Sequence, residues 1–343
     1  MKAVIFEQHG DLEVLKYTDV PEPIPGPGEA LVHVKACALN HLDIWVRQGL
    51  PGAQIPMPHI LGCESSGEVV RTAGEASGIK PGDQVLVPPG ISCGRCEYCR
   101  TGYDSLCPEY RMMGYHLQGG YAEYLKAPTA NLIPISPELS FEEWAAFPLV
   151  FLTAWHMLVT RAGVQPGEDV LVQAAGSGVG SAAIQIARFC GARVIATAST
   201  EEKIKKARDL GAHETINYAE KNFVEEVNRF TDRRGVDLVF EHVGSKTFEK
   251  SLACLAKRGR VITCGATSGA QVTLDLRHLF VRQQTILGSY MGGHKELLDI
   301  IRLVKRRALR SVVDKIYPLE LASEAQKRMI ERQHFGKIVL RCS

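Results

Sequence analysis

The stretch "RAGVQPGEDVLVQAAGSGVGSAAIQIARFCGARVIATAS" (161–199) constrains the fold more than any other part of the chain. It reads as strand, glycine turn, helix, strand. The segments "VLV" and "VIATA" are almost continuously apolar, as strands buried on both faces must be. Two such strands joined through a helix form a βαβ unit, which calls for a parallel sheet covered by helices. The alternation continues. "KIKKARDLGA" predicts a helix and "HETINY" a strand; "FVEEVNRFT" predicts a helix and "VDLVFEHVG" a strand. "FEKSLACLAKRG" then predicts a helix, "RVITCGA" a strand, and "QQTILGSY" the last strand of the sheet.

The first 130 or so residues are of another kind. Short apolar runs ("KAVIF", "EALVHVKACAL", "SGEVV", "DQVLVPP") are cut by "PEPIPGPGE" and "KPGD", the punctuation of a β-rich region. Near residue 140 the character changes. Ser140 followed by Glu143 is a helix-capping pattern. After the sheet come two amphipathic helical stretches, "HKELLDIIRLVKRR" and "LASEAQKRMIERQ", and a closing strand, "GKIVLRC". The fold class is therefore α/β: a β-rich part and a doubly wound nucleotide-binding part.

Charge excludes some partners. With 40 basic and 38 acidic side chains the formal net charge is +2, which gives no electrostatic case for nucleic acid or an anionic membrane. The run "RLVKRRALR" (302–310) reads as a solvated helix face. No apolar stretch approaches the roughly 20 residues of a membrane helix. The N-terminus turns polar too soon for a signal peptide, so a cytoplasmic setting is expected. In that setting ten cysteines argue for thiols and metal ligation. Cys37, Cys190, Cys254, Cys264 and Cys342 are scattered, and a buried cysteine is simply a small hydrophobe.

The glycine turn holds Gly176, Ser177, Gly178, Val179 and Gly180 between strand and helix. Such a turn lets backbone N–H groups approach a pyrophosphate at the helix N-terminus. The strict G-x-G-x-x-G pattern is not met, because Ala175 and Ser177 stand in its first two glycine places. An NAD enzyme usually carries an acid at the end of the second strand. Here that end offers Ala198, Ser199 and Thr200, with Lys203 one turn later. Hydroxyls and a lysine suit a 2′-phosphate, so NADP(H) is the expected cofactor, although Glu201 and Glu202 stand beside them.

Cys93, Cys96, Cys99 and Cys107 follow C-x2-C-x2-C-x7-C. Four thiolates from one loop close a tetrahedral zinc site, and a closed site is structural, because catalytic zinc keeps an open position. An iron–sulfur cluster is the alternative reading of the spacing.

Taken together, "MKAVIFEQHGDLEVLKYTDVPEP", "PGDQVLVPP", the cysteine loop, "GGYAEY", the glycine turn, "DLVFEHVG" and the closing "GKIVL" resemble the medium-chain dehydrogenase/reductase superfamily. This is the family of zinc alcohol dehydrogenases and quinone reductases. The resemblance implies a GroES-like catalytic domain built from both chain ends (1–151 and 291–343) and a Rossmann domain between them (152–290). It implies hydride transfer to or from a small-molecule carbonyl or alcohol. It also implies a homodimer or homotetramer, with "QQTILGSY" as a pairing edge. In the zinc enzymes the cysteine quartet carries a structural zinc, a role that passes here to Cys93, Cys96, Cys99 and Cys107.

Their catalytic-zinc motif fails here. Asn40 of "ALNHLD" stands where the first cysteine ligand is usual, and Cys63 of "GCE" replaces the histidine, with Glu64 retained. Leu42 occupies the place of the proton-relay hydroxyl. "LNHLD" is instead similar to the quinone-reductase branch. There Asn40 and Asp43 would lie near nicotinamide and substrate, and His41 would contact the pyrophosphate. By the same resemblance Thr153 is a nicotinamide contact, and Lys203 and Tyr218 bind the 2′-phosphate. Cys264, Gly265 and Ala266, with Ser289 of "LGSY", border the nicotinamide. Asn40 and Asp43 would equally serve as a helix cap.

Without zinc to polarise a carbonyl, substrates that delocalise charge themselves are favoured: quinones, enones and aryl ketones. Asn40 is the candidate oxyanion donor. His41, Tyr115 and His116 are candidate proton donors. Two other readings stand beside this one: a zinc alcohol dehydrogenase with its site rebuilt on Cys63 and Glu64, and an NADPH-binding protein without turnover.

Overall fold

The computed structural model describes residues 1–74 and 78–343. The chain divides into two compact units, Met1–Leu149 with Ser311–Ser343, and Val150–Arg310.

In the first unit the two ends of the chain share one sheet. The long strand Glu29–Ala38 pairs antiparallel with Glu64–Thr72 on one side and with Lys337–Arg341 on the other. Val313–Pro318, Gln84–Val87, Ile133–Pro134 and Tyr124–Pro128 complete seven strands. Apolar residues of Glu29–Ala38, such as Ala30, Val32, Val34 and Cys37, are fully buried and join one core with Phe6, Leu61, Tyr121 and Ile338. Helix His41–Gln48 leaves the end of this strand, and Glu64 begins the neighbouring one. Residues 40, 43, 63 and 64 therefore meet at one end of the sheet.

The second unit holds a six-stranded parallel sheet. Numbered along the chain, Asp169–Val172, Arg193–Ala198, Glu214–Asn217, Val236–Glu241, Leu255–Thr263 and Thr285–Gly288 lie in the order 3-2-1-4-5-6. That is the Rossmann order, with its ligand crevice at the carboxyl ends where the order reverses. Val170, Leu171 and Val172 are wholly buried, as their unbroken apolar run requires. The expected helix over "FEKSLACLAKRG" is helical only at Phe248–Ala253. The next strand starts at Leu255 and bulges before rejoining its neighbour at Arg260.

The second boundary differs from the expected 290/291. Helix His294–Lys305 belongs with the nucleotide-binding unit. Its Glu296 accepts from the Gly293 backbone N–H at 2.6 Å and pairs with the buried His156 at 3.0 Å. An amphipathic pattern shows that a helix has a buried face, but not which body covers it. The basic run behaves as a solvated face: Arg302, Lys305, Arg306, Arg307 and Arg310 are exposed while Val304 and Leu309 are buried. No helix among the described residues is long and apolar enough to cross a membrane.

Candidate functional site

In the second unit the glycine turn follows the first sheet strand. Ser177 caps helix Gly178–Phe189: its Oγ accepts from the Gly180 N–H at 2.9 Å and donates to the Ala174 carbonyl at 2.9 Å. A Cβ on Gly180 would lie 2.4 Å from that carbonyl, so the close turn requires glycine there. The chain reverses at Ala174, whose φ is +49°. His242, at the end of the fourth strand, adds a contact that sequence reasoning missed. Its Nε2 lies 3.1 Å from the Gln173 carbonyl and 3.4 Å from Ser177 Oγ, and burial lowers its pKa. The "EHVG" beside a predicted strand end was the available signal.

At the end of the second strand Thr200 caps helix Glu201–Asp209 through its Oγ, which accepts from the Lys203 N–H. The Tyr218 N–H donates to the Ala198 carbonyl at 3.0 Å, so Ser199, Thr200, Lys203 and Tyr218 gather at one corner of the sheet. The Tyr218 side chain is exposed and not part of the core. The nearby carboxylate of Glu201 is turned to Asn217 Nδ2, 3.1 Å away. On the other side of the sheet the Ser289 N–H donates to the Thr263 carbonyl at 2.9 Å, bringing Ser289 beside Cys264, Gly265 and Ala266. Thr153 Oγ1 and Ser289 Oγ are buried and have no hydrogen-bond partner among the described residues. Buried hydroxyls without partners are costly. Each has hydrogen-bonding capacity of the kind a dinucleotide carboxamide satisfies.

In the first unit Asn40, Cys63, Glu64 and Lys337 form one buried cluster. Asn40 Nδ2 donates to Glu64 Oε1 at 2.9 Å and reaches Cys63 Sγ at 3.2 Å. Lys337 Nζ lies 2.6 Å from Glu64 Oε1 and 2.6 Å from Asn40 Oδ1. Glu64 Oε2 accepts from the Leu149 N–H at 2.6 Å. Lys337 opens the closing strand Lys337–Arg341. A lysine directly before the apolar run Ile338–Leu340 was a signal, because a buried cation must have a partner.

Asp43 caps the helix: its Oδ2 accepts from the Asn40 backbone N–H at 2.8 Å. It also accepts from Tyr121 Oη at 3.0 Å and from the Gly62 N–H at 3.2 Å. Burial outweighs these donors and raises its carboxyl pKa to about 6. Asn40 leaves capping to Asp43 and spends its side chain on the cluster. His41 is half-buried, its ring edge-on to Trp45 at 5.0 Å. Among the other proton-donor candidates, His116 Nδ1 accepts from the Met112 N–H at 3.0 Å, and Tyr115 packs on the His116 ring at 4.0 Å.

This donor set does not fit a second metal. Burial lifts the Cys63 thiol well above its ordinary pKa, and Glu64 already has an ammonium and two N–H groups against it, so a divalent cation there would meet a buried positive charge. The quartet does fit one. One sulfur from each of Cys93, Cys96, Cys99 and Cys107 lies within 4.8 Å of the others. Backbone N–H groups of Cys93, Cys96 and Glu109 point at the sulfurs at 3.3–3.4 Å. The N–H groups of Arg95 and Cys96 lower the Cys93 thiol to about 6, while burial and the neighbouring sulfurs push the Cys96 thiol up to about 11, so the thiolate character is concentrated on Cys93 until a metal displaces the remaining protons.

Comparison with known proteins agrees with this architecture. Residues 26–137 match the alcohol dehydrogenase GroES-like domain, and 178–306 match the zinc-binding dehydrogenase domain. The chain is 30% identical to a quinone oxidoreductase of Pongo abelii over 99% of its own length and 97% of that protein. It superposes on the crystal structure of an NAD-dependent alcohol dehydrogenase with a TM-score of 0.96, at 49% identity and full coverage of both chains. A 2-octenoyl-CoA carboxylase reductase in complex with NADP and 2-octenoyl-CoA gives 0.90 at 30% identity, covering 99% of this chain and 87% of that one. The chain belongs to the medium-chain dehydrogenase/reductase superfamily and is an oxidoreductase.

Proposed function

We propose that this oxidoreductase uses NADP(H) to reduce conjugated or bulky apolar carbonyl compounds, or the C=C bonds conjugated to them, without a catalytic metal. The observation that carries the reading is the Asn40–Glu64–Lys337 network, in which the Lys337 ammonium takes the place of a metal cation beside Glu64 and one N–H of Asn40 Nδ2 is held by Glu64 while the other is not. When bound, the nicotinamide supplies or accepts the hydride. The Ser177–Gly180 turn holds the pyrophosphate at a helix N-terminus. Thr153 and Ser289 take the carboxamide. Ser199, Thr200, Lys203 and Tyr218 receive the 2′-phosphate, and no carboxylate of the strand end repels it. Asn40 Nδ2 donates to the oxyanion that develops on the substrate. The quartet holds one structural zinc, and the setting is cytoplasmic.

The edge strand Thr285–Gly288 and the exposed Leu276, Phe280 and Val281 supply an apolar rim for a second copy, which supports a homo-oligomer.

The test is turnover of quinone, enone and aryl ketone acceptors with NADPH and with NADH, with and without chelator. The reading expects chelator-insensitive turnover and a KM for NADPH at least about tenfold below that for NADH. Preference for NADH would move the cofactor to that of the 49% identical alcohol dehydrogenase. Turnover of simple alcohols alone, lost to a chelator that leaves the fold intact, would overturn the metal-free mechanism.

A further inference from the structure

Lys337 is 3% exposed, and all of its donors are accounted for. An ammonium has three N–H groups and accepts nothing. Here they reach the Leu39 carbonyl at 2.5 Å, Asn40 Oδ1 at 2.6 Å and Glu64 Oε1 at 2.6 Å. Glu64 receives three donors. Oε1 accepts from Lys337 and Asn40, and Oε2 accepts from the Leu149 N–H. A buried charge is tolerated only when paired and hydrogen-bonded, and this pair meets both conditions.

Two consequences follow from the chemistry of the ammonium. Because Lys337 can only donate, the Asn40 atom facing it must be Oδ1, so the amide NH2 is turned to Cys63 and Glu64. One of its N–H groups has the strong acceptor, Glu64 Oε1 at 2.9 Å. The other has only Cys63 Sγ at 3.2 Å and the Ala38 carbonyl at 3.4 Å. That N–H is the one available to a substrate oxygen. The charge on Nζ, delivered through Oδ1, also polarises the amide and strengthens it as a donor. The second consequence concerns metals. A divalent cation on Glu64 and Cys63 would sit against the ammonium in a buried pocket, where like charges repel strongly.

We infer that Lys337 is the positioning residue of this site: a built-in monovalent cation that fixes the orientation of the Asn40 amide and makes the Cys63–Glu64 pocket refuse a divalent metal. This rests on the metal-free reading of the site, but its test needs no turnover.

The probe is cobalt(II), titrated into the zinc-loaded full chain, with absorbance for thiolate-to-cobalt charge transfer and elemental analysis for stoichiometry. Wild type is expected to take no cobalt beyond the quartet. Lys337→Met is expected to bind one further cobalt per subunit at least ~10-fold more tightly than wild type. Its charge-transfer band should vanish when Cys63→Ser is added. Lys337→Arg keeps the charge and is expected to refuse cobalt. Should Lys337→Met fail to fold, Lys337→Gln takes its place, since its amide still donates to Asn40 Oδ1. Either of two results overturns the inference: a Cys63-dependent cobalt band in wild type, or no added cobalt in a folded, charge-free variant. Failure of carbonyl reduction with the acceptor panel would strike the proposed function and leave the cobalt result standing.

Discussion

Two regions of the first unit collect the residue types that bind metals, and they answer in opposite ways. The loop 93–107 is largely exposed, and its four sulfurs share charge: backbone N–H groups lower the Cys93 thiol to about 6, while burial and the neighbouring sulfurs push Cys96 up to about 11. The cluster at 40, 63 and 64 is buried. There, at the neighbouring Asp43, the same device, backbone N–H groups onto an anion, loses to desolvation, so the carboxyl rises to about 6, and burial also pushes up the Cys63 thiol. A ligand set is therefore defined less by which residues it contains than by the protonation state their surroundings allow. The loop can present thiolates to a cation. The buried cluster already has its cation in Lys337.

The comparison breaks first at the loop. Cys107→Ser is expected to abolish metal stoichiometry and lower Tm by about 10 °C, because metal binding and ordering of such a loop are one free energy. Elemental analysis beside calorimetry checks this. Full metal content in the folded variant would mean that the quartet is not the site.

The next largest effect lies in the buried cluster. Glu64→Ala strands the Lys337 ammonium and should destabilise by about 3–5 kcal/mol, whereas Glu64→Gln with Lys337→Met removes both charges and should cost far less. Denaturant unfolding of the two variants decides it. Equal losses would show that the pair matters through packing rather than charge.

How much of this was legible in the sequence also differs between the regions. The quartet announced itself by local spacing, because its four ligands lie within fifteen positions. The parallel, helix-covered sheet of the second unit, though not its strand order, followed from unbroken apolar strands alternating with helices, for the same local reason. The Lys337 network did not, since Lys337 and Asn40 are 297 positions apart and meet only because the closing strand pairs with Glu29–Ala38. The domain boundary near 310 was hidden likewise: the His156–Glu296 pair that ties the late helix to its unit spans 140 positions. Contacts set by topology leave no local pattern.

The smallest effect sharpens the comparison through pH. The Asp43 carboxyl is held at about 6 in the fold, against 3.8 when free, with burial as the main cause. Between those values the folded state binds a proton that the unfolded state does not. This group therefore adds stability as pH falls through 6, and that stability is lost as pH rises through the same range. Asp43→Asn lacks the titration but keeps an acceptor for the Asn40 N–H. The Tm of wild type minus that of Asp43→Asn should rise by about 3 °C between pH 7.5 and pH 5, the equivalent of roughly 1 kcal/mol. The quartet is common to both proteins, so its own titration cancels in the difference. A flat difference would mean that the donors from Asn40, Gly62 and Tyr121 outweigh burial after all, and the contrast with the exposed loop would lose its physical basis.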